Sequence, residues 1–182
     1  MKKILLLILS LNASISYAQP PLVFTGFDLN PGGGGSMPAN YIEYNGKMYF
    51  AAATAADGNE LWVSDGTVPG TQLLKDINAG VNSGNPQSFI VANGKLFFNA
   101  NDANGTELWV TDGTAAGTTM LKDIKTGARS SSPGTKGKIG NNIFFAADDG
   151  VAGSELWISD GTTAGTQLLK DIRTGAAASS PG

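Results

Sequence analysis

The phrase ELWVSDGT at Glu60–Thr67 returns as ELWVTDGT at Glu107–Thr114 and as ELWISDGT at Glu155–Thr162. A shared tail follows each copy, and 12 of the 18 positions from Glu60 to Ile77 are identical in all three. The glutamates are spaced by 47 and 48 residues, and Pro38, Pro86, Pro133 and Pro181 by 48, 47 and 48. A period of this length is one supersecondary unit stacked on copies of itself, and it constrains the fold more than any composition figure.

The middle unit parses into four short strands. Ser88–Ala92 (SFIVA) is β-rich, and Asn93-Gly94 is the strongest short hairpin signal, because both residues tolerate positive φ. Lys95–Ala100 (KLFFNA) returns, Asn101–Gly105 forms a loop, and Thr106–Thr111 (TELWVT) is the third strand. After a turn at Asp112-Gly113-Thr114, Thr118–Ile124 (TTMLKDI) is the fourth, and Lys125–Gly134 is a Gly/Ser/Pro linker. No stretch after residue 18 shows capped helical periodicity. The expected class is all-β: tandem four-stranded antiparallel units resembling β-propeller blades. Leu96 and Phe98 lie opposite Phe97, and Leu108 and Val110 opposite Trp109, so both sheet faces are apolar, as stacking demands.

The predicted units span 39–86, 87–133 and 134–182 of a β-repeat domain at 19–182. FDLNPGGGGSMP (Phe27–Pro38) aligns with KDINAGVNSGNP (Lys75–Pro86), which makes 22–29 an orphan fourth strand able to close a ring. Three units are fewer than the roughly four to eight blades of a propeller. The chain is therefore expected to be the front part of a longer protein, with assembly of copies as the other route to a ring. An open β-solenoid is the alternative architecture.

Met1-Lys2-Lys3, the apolar run from Ile4 to Leu11 and Ser16-Tyr17-Ala18 have the layout of a signal peptide, predicted to be cut after Ala18. The apolar run is short of the ~20 residues that cross a bilayer, so no integral span is expected after its removal. Ten basic residues then face 15 acidic ones, moving the formal charge from −3 to −5, with no basic cluster to suit nucleic acid. The sequence has neither Cys nor His. That removes thiolate and imidazole catalysis, disulfides and Cys- or His-based metal sites.

Each repeated side chain has a functional and a structural reading. Trp62, Trp109 and Trp157 could be sugar-stacking platforms. Packing between units is favoured, since Leu and Val or Ile flank them and large aromatics dominate cores. Asp65, Asp112 and Asp160, with Gly66-Thr67, Gly113-Thr114 and Gly161-Thr162, could belong to calcium loops. Turn chemistry suffices for the triplet, and the surrounding acids are not repeated. Glu60, Glu107 and Glu155 could act in glycoside hydrolysis only as a close, asymmetric pair. Their recurrence in every unit favours a structural role, accepting bonds from a neighbouring loop. Leu61, Leu108 and Leu156 complete the motif as core residues. Asp148-Asp149 is the one departure with extra acids. No catalytic residue and no cofactor is assigned. Gly32–Gly35 lacks the Lys-Ser/Thr of a phosphate loop and is a linker.

The quoted copies, with their GTxxLKDI tails, resemble the ELWxxDGT repeat family of bacterial exported proteins. That resemblance implies a tandem, β-propeller-like array in a secreted or cell-surface protein, often carrying a C-terminal sorting domain. It implies no catalytic residues. The expected role is a surface scaffold that binds a glycan, protein or other surface component through inter-strand loops. A carboxylate-dependent enzyme on polysaccharide and a structural spacer are the alternatives.

Overall fold

The structure, a computed structural model, describes residues 28–32 and 34–181. The signal-peptide segment 1–18 and most of the orphan strand at 22–29 lie outside the described residues; its last two residues, Asp28 and Leu29, are described and are not in a strand.

Twelve strands make three four-stranded sheets, with no helix among the described residues. The first sheet holds β1 (Ala39–Tyr44), β2 (Lys47–Thr54), β3 (Gly58–Ser64) and β4 (Gln72–Lys75). The second holds β5 (Gln87–Ala92), β6 (Lys95–Asp102), β7 (Gly105–Thr111) and β8 (Thr119–Lys122). The third holds β9 (Gly137–Ile139), β10 (Asn142–Asp148), β11 (Ser154–Ser159) and β12 (Gln167–Lys170). Sequential strands pair antiparallel in every sheet, an up-and-down meander. Strands pair only within their own sheet. A β-solenoid would hydrogen-bond successive units to each other, so these are separate blades, blade 1 to blade 3 in chain order.

Local chemistry explains the meander. Asn93 and Gly94 take φ of +48° and +63°, as Asn45 and Gly46 take +50° and +72°, the conformation a two-residue hairpin needs. The turn between β9 and β10 reverses the order to Gly140-Asn141, with only Gly140 at positive φ. The outer strand of each blade carries a bulge. Leu108 faces Lys122 and Trp109 faces Met120, which leaves Leu121 as the extra residue; Leu74 and Leu169 have the same place. By the pleat, consecutive residues of this strand serve opposite faces, Met120 toward blade 1 and Leu121 toward blade 3.

Each blade consequently has a rear face, toward the preceding unit, and a forward face, toward the next. Tyr49, Leu61, Val63 and Leu74 on the forward face of blade 1 share a core with Leu96, Phe98 and Trp109 on the rear face of blade 2. Phe97, Leu108, Val110 and Leu121 meet Ile143, Phe145 and Trp157 in the same way between blades 2 and 3. Burial of two-sided sheets, rather than a central core, holds the stack together.

Candidate functional site

The motif glutamates lie one or two residues inside the start of the third strand of each blade and are fully buried. Glu60 Oε2 accepts the N–H of Ile77 at 2.8 Å, and its Oε1 accepts those of Gly84 at 2.5 Å and Asn78 at 3.4 Å. Glu107 accepts Ile124 N–H at 3.2 Å, Ser131 N–H at 2.8 Å and the Ser131 hydroxyl at 2.5 Å. Glu155 repeats this with Ile172 at 2.9 Å and with the Ser179 N–H and hydroxyl at 2.8 and 2.6 Å. The partners all belong to the linker that leaves the same blade, rather than to a neighbouring blade's loop. Burial pushes the carboxyls of Glu60 and Glu107 above the ordinary range despite these donors. Burial also pushes Glu155 upward, but in the last blade the bonds from Ser179 and Ile172 outweigh it and hold the group below that range.

The Asp-Gly-Thr turn closes on itself. Asp112 Oδ1 accepts the N–H of Thr114 at 2.8 Å and its hydroxyl at 2.7 Å, and Thr114 Oγ1 in turn accepts Gly117 N–H at 2.9 Å. A second relay runs from Gly113 N–H to Thr111 Oγ1 at 3.0 Å, then to Thr118 Oγ1 at 2.7 Å, and ends on Thr114 O at 2.6 Å. Thr118 donates to that carbonyl, so the proton between the two hydroxyls comes from Thr111. Asp65 and Asp160 make the corresponding bonds with Thr67 and Thr162. Hydrogen bonds from these threonines hold all three aspartates below the usual carboxylate range. Among the described residues no three Asp or Glu side chains come together where they could hold a metal. Oδ1 of each of these aspartates faces an N–H and an O–H donor.

Trp109 and Trp157 fill the cores between blades, and Trp62 packs with Phe50, Ala52, Leu29 and Leu73 on the rear face of blade 1. All three indoles are under a tenth exposed, so none presents a ring to solvent for sugar stacking. Lys122 Nζ lies 5.7 Å from the Trp157 ring and donates to Thr166 O at 2.7 Å, tying blade 2 to blade 3.

One set of residues that departs from the repeat lines a groove. The linker after β8 and the loop between β10 and β11 face each other across an open groove of ≈ 530 Å³ lined by Lys125, Thr126, Arg129 and Asp149. Asp148 pairs with Lys125, and this contact holds its carboxyl below the usual range. Asp149 Oδ1 accepts the N–H groups of Val151 and Ala152 at 2.8 and 2.7 Å. Arg129 is exposed, and its guanidinium has no ion pair among the described residues.

Sequence reasoning passed over Lys136 and Asn99. Lys136 Nζ donates to Asn99 Oδ1 at 2.5 Å and to Ser88 O at 3.0 Å, bridging blades 2 and 3. Burial lowers its amine to about 7. Tyr41 and Phe89 stand at its place in the other blades, and Ala51 and Ala146 stand at the place of Asn99. That joint break in the repeat was the available signal.

No protein-family model matches the chain, and no curated protein is significantly similar to it. Among solved structures, the computationally designed Ika8 protein aligns with 73% of the chain and 35% of its own length, at 16% identity and a TM-score of 0.40. An alpha-L-arabinofuranosidase from Clostridium thermocellum aligns with 76% of the chain and 50% of its own length, at 15% identity and a TM-score of 0.35. The chain thus spans about a third and a half of these two proteins.

Proposed function

We propose that the chain is an exported, surface-displayed scaffold of the ELWxxDGT type that binds a glycan or protein component through its loops. One observation carries this reading. The motif Glu, Asp and Thr side chains are consumed by bonds within their own blade and its exit linker, whereas the groove between the linker after β8 and the loop at 149–151 presents Arg129, which is Asn82 and Ala177 in the other units. Exposed Arg129 beside Thr126 and Asp149 offers hydrogen bonds of both polarities, suited to a polar or anionic saccharide.

The enzyme alternative would require Asp148 to leave Lys125 on the facing linker, or Asp149 to leave the bonds it makes within its own loop. Among the described residues no helix is long and apolar enough to cross a membrane. Glycan-array binding by the purified chain, repeated with Arg129→Glu, tests the proposal. Binding that is lost in the variant at unchanged melting temperature supports it. Binding that survives moves the site away from the groove, and no binding to any glycan eliminates the saccharide.

A further inference from the structure

Asn99 and Lys136 put a polar pair where the interface between blades 1 and 2 has Ala51 and Phe89. There Ala51 is buried, and Phe89 packs into the core against Phe98. Replacing an apolar pair by an amide and an amine carries a desolvation cost that hydrogen bonds only partly offset. Lys136 also lacks a counter-ion, since the ion pair among the described residues joins Lys125 to Asp148.

The two groups are held for contact. Asn99 is 5% exposed, and its amide is fixed at both ends: Nδ2 donates to Pro133 O at 2.5 Å, and Oδ1 accepts from Lys136 Nζ at 2.5 Å. Ser88 O holds the same amine at 3.0 Å. A carbonyl bond is about 1.23 Å long, so Nζ lies no more than about 3.7 Å from Asn99 Cγ. That is close to the roughly 3–3.5 Å at which reacting atoms are poised.

We propose that Lys136 and Asn99 condense into an amide cross-link between blades 2 and 3. The Nζ lone pair attacks Cγ and the Cγ–Nζ bond forms. One Nζ proton passes to Nδ2, the Cγ–Nδ2 bond breaks and ammonia leaves. No oxidant or other reactant enters. Burial lowers the amine to about 7, so a large share of it is unprotonated and nucleophilic at neutral pH. The product is an uncharged amide, which removes the penalty of a buried ammonium. It joins positions 37 residues apart in a chain that has no cysteine for a disulfide. With no carboxylate paired to Lys136 to assist, condensation follows folding slowly. The amine titrates only in the uncondensed chain, which its intact mass identifies.

Mass spectrometry of the purified chain, incubated folded at mildly alkaline pH, tests this. Digestion after Lys and Arg should yield a branched peptide that joins Leu96–Lys122 to Ser130–Lys138, uncut after Lys136 and lighter by one ammonia than the two together. The same chain incubated unfolded in urea should give the two sequences separately, cut after Lys136. Asn99→Ala and Lys136→Phe restore the residues of the interface between blades 1 and 2, and each should abolish the branched peptide. Linear peptides alone from the folded native chain, or a branched peptide that forms equally in urea, would overturn the inference.

Discussion

Glu107 and Ser131, 24 residues apart, are joined twice: the Ser131 N–H meets Oε1 at 2.8 Å and its hydroxyl meets Oε2 at 2.5 Å. The bond fixes where the linker leaves blade 2, and so where blade 3 begins. Blade 1 has Gly84 at this place, and the corresponding bond there is to the backbone alone.

That difference predicts unequal responses to one substitution. Both oxygens of Glu60 face only backbone N–H donors, so the amide nitrogen of Glu60→Gln would meet a donor head-on. At Glu107 the amide nitrogen placed at Oε2 would meet only the longer Ile124 N–H contact of 3.2 Å, and there the Ser131 hydroxyl can turn and accept. Glu60→Gln should cost about 2–3 kcal/mol and Glu107→Gln about 1 kcal/mol in urea denaturation. Equal costs would contradict the assignment of donors.

Gly117 is held to glycine by its neighbour's carboxylate. A Cβ there would lie 2.1 Å from Asp112 Oδ1, and the φ at this residue is not positive, so the clash is the whole objection. Gly117→Ala should destabilise by about 1–3 kcal/mol, and Asp112→Ala should relieve part of that cost. A double-mutant cycle that comes out additive would contradict this.

Thr118 ends the hydroxyl relay and is 1% exposed. Thr118→Val keeps the shape but strands Thr114 O and the Thr111 hydroxyl. The expected loss is about 1–3 kcal/mol, read as a fall of several degrees in melting temperature.

Stability should depend on pH in two windows. With the Lys136 amine at about 7 when folded and about 10.4 when unfolded, the unfolded chain binds more protons between those values. This contribution is full above the unfolded value and lost as pH falls through 7, so Lys136→Met should flatten the rise in stability between about pH 7.5 and 9.5. Glu107 has the opposite sign: its folded value is raised, so its contribution is full below the ordinary glutamate range near 4.3 and lost as pH rises through the folded value. Glu107→Gln should remove that decline. An unchanged profile in either variant would sink the corresponding assignment.

The blades were legible because each signal was local. Asn93-Gly94 fixed a hairpin, and the alternation around Trp109 fixed two buried faces. The strand expected at Thr118–Ile124 is shorter, Thr119–Lys122, because the linker turns Ile124 into the core between blades. The role of Glu107 was half legible: recurrence marked it as structural, but its partners lie 17 and 24 residues onward and donate mainly through backbone N–H groups, which residue identity does not reveal. Lys136 and Asn99 were missed because their contact crosses between blades, and only a comparison of units shows both departing together.

Amide hydrogen exchange in the native chain and in Glu107→Gln tests most directly whether the repeated phrase is a device for fixing blades and linkers. Ser131 and Ile124 sit in a linker outside any strand, yet their amides should be strongly protected in the native chain and exchange much faster in the variant. The strand amide of Phe98 should change little. Rapid exchange at Ser131 in the native chain, or protection there that ignores the substitution, would contradict it.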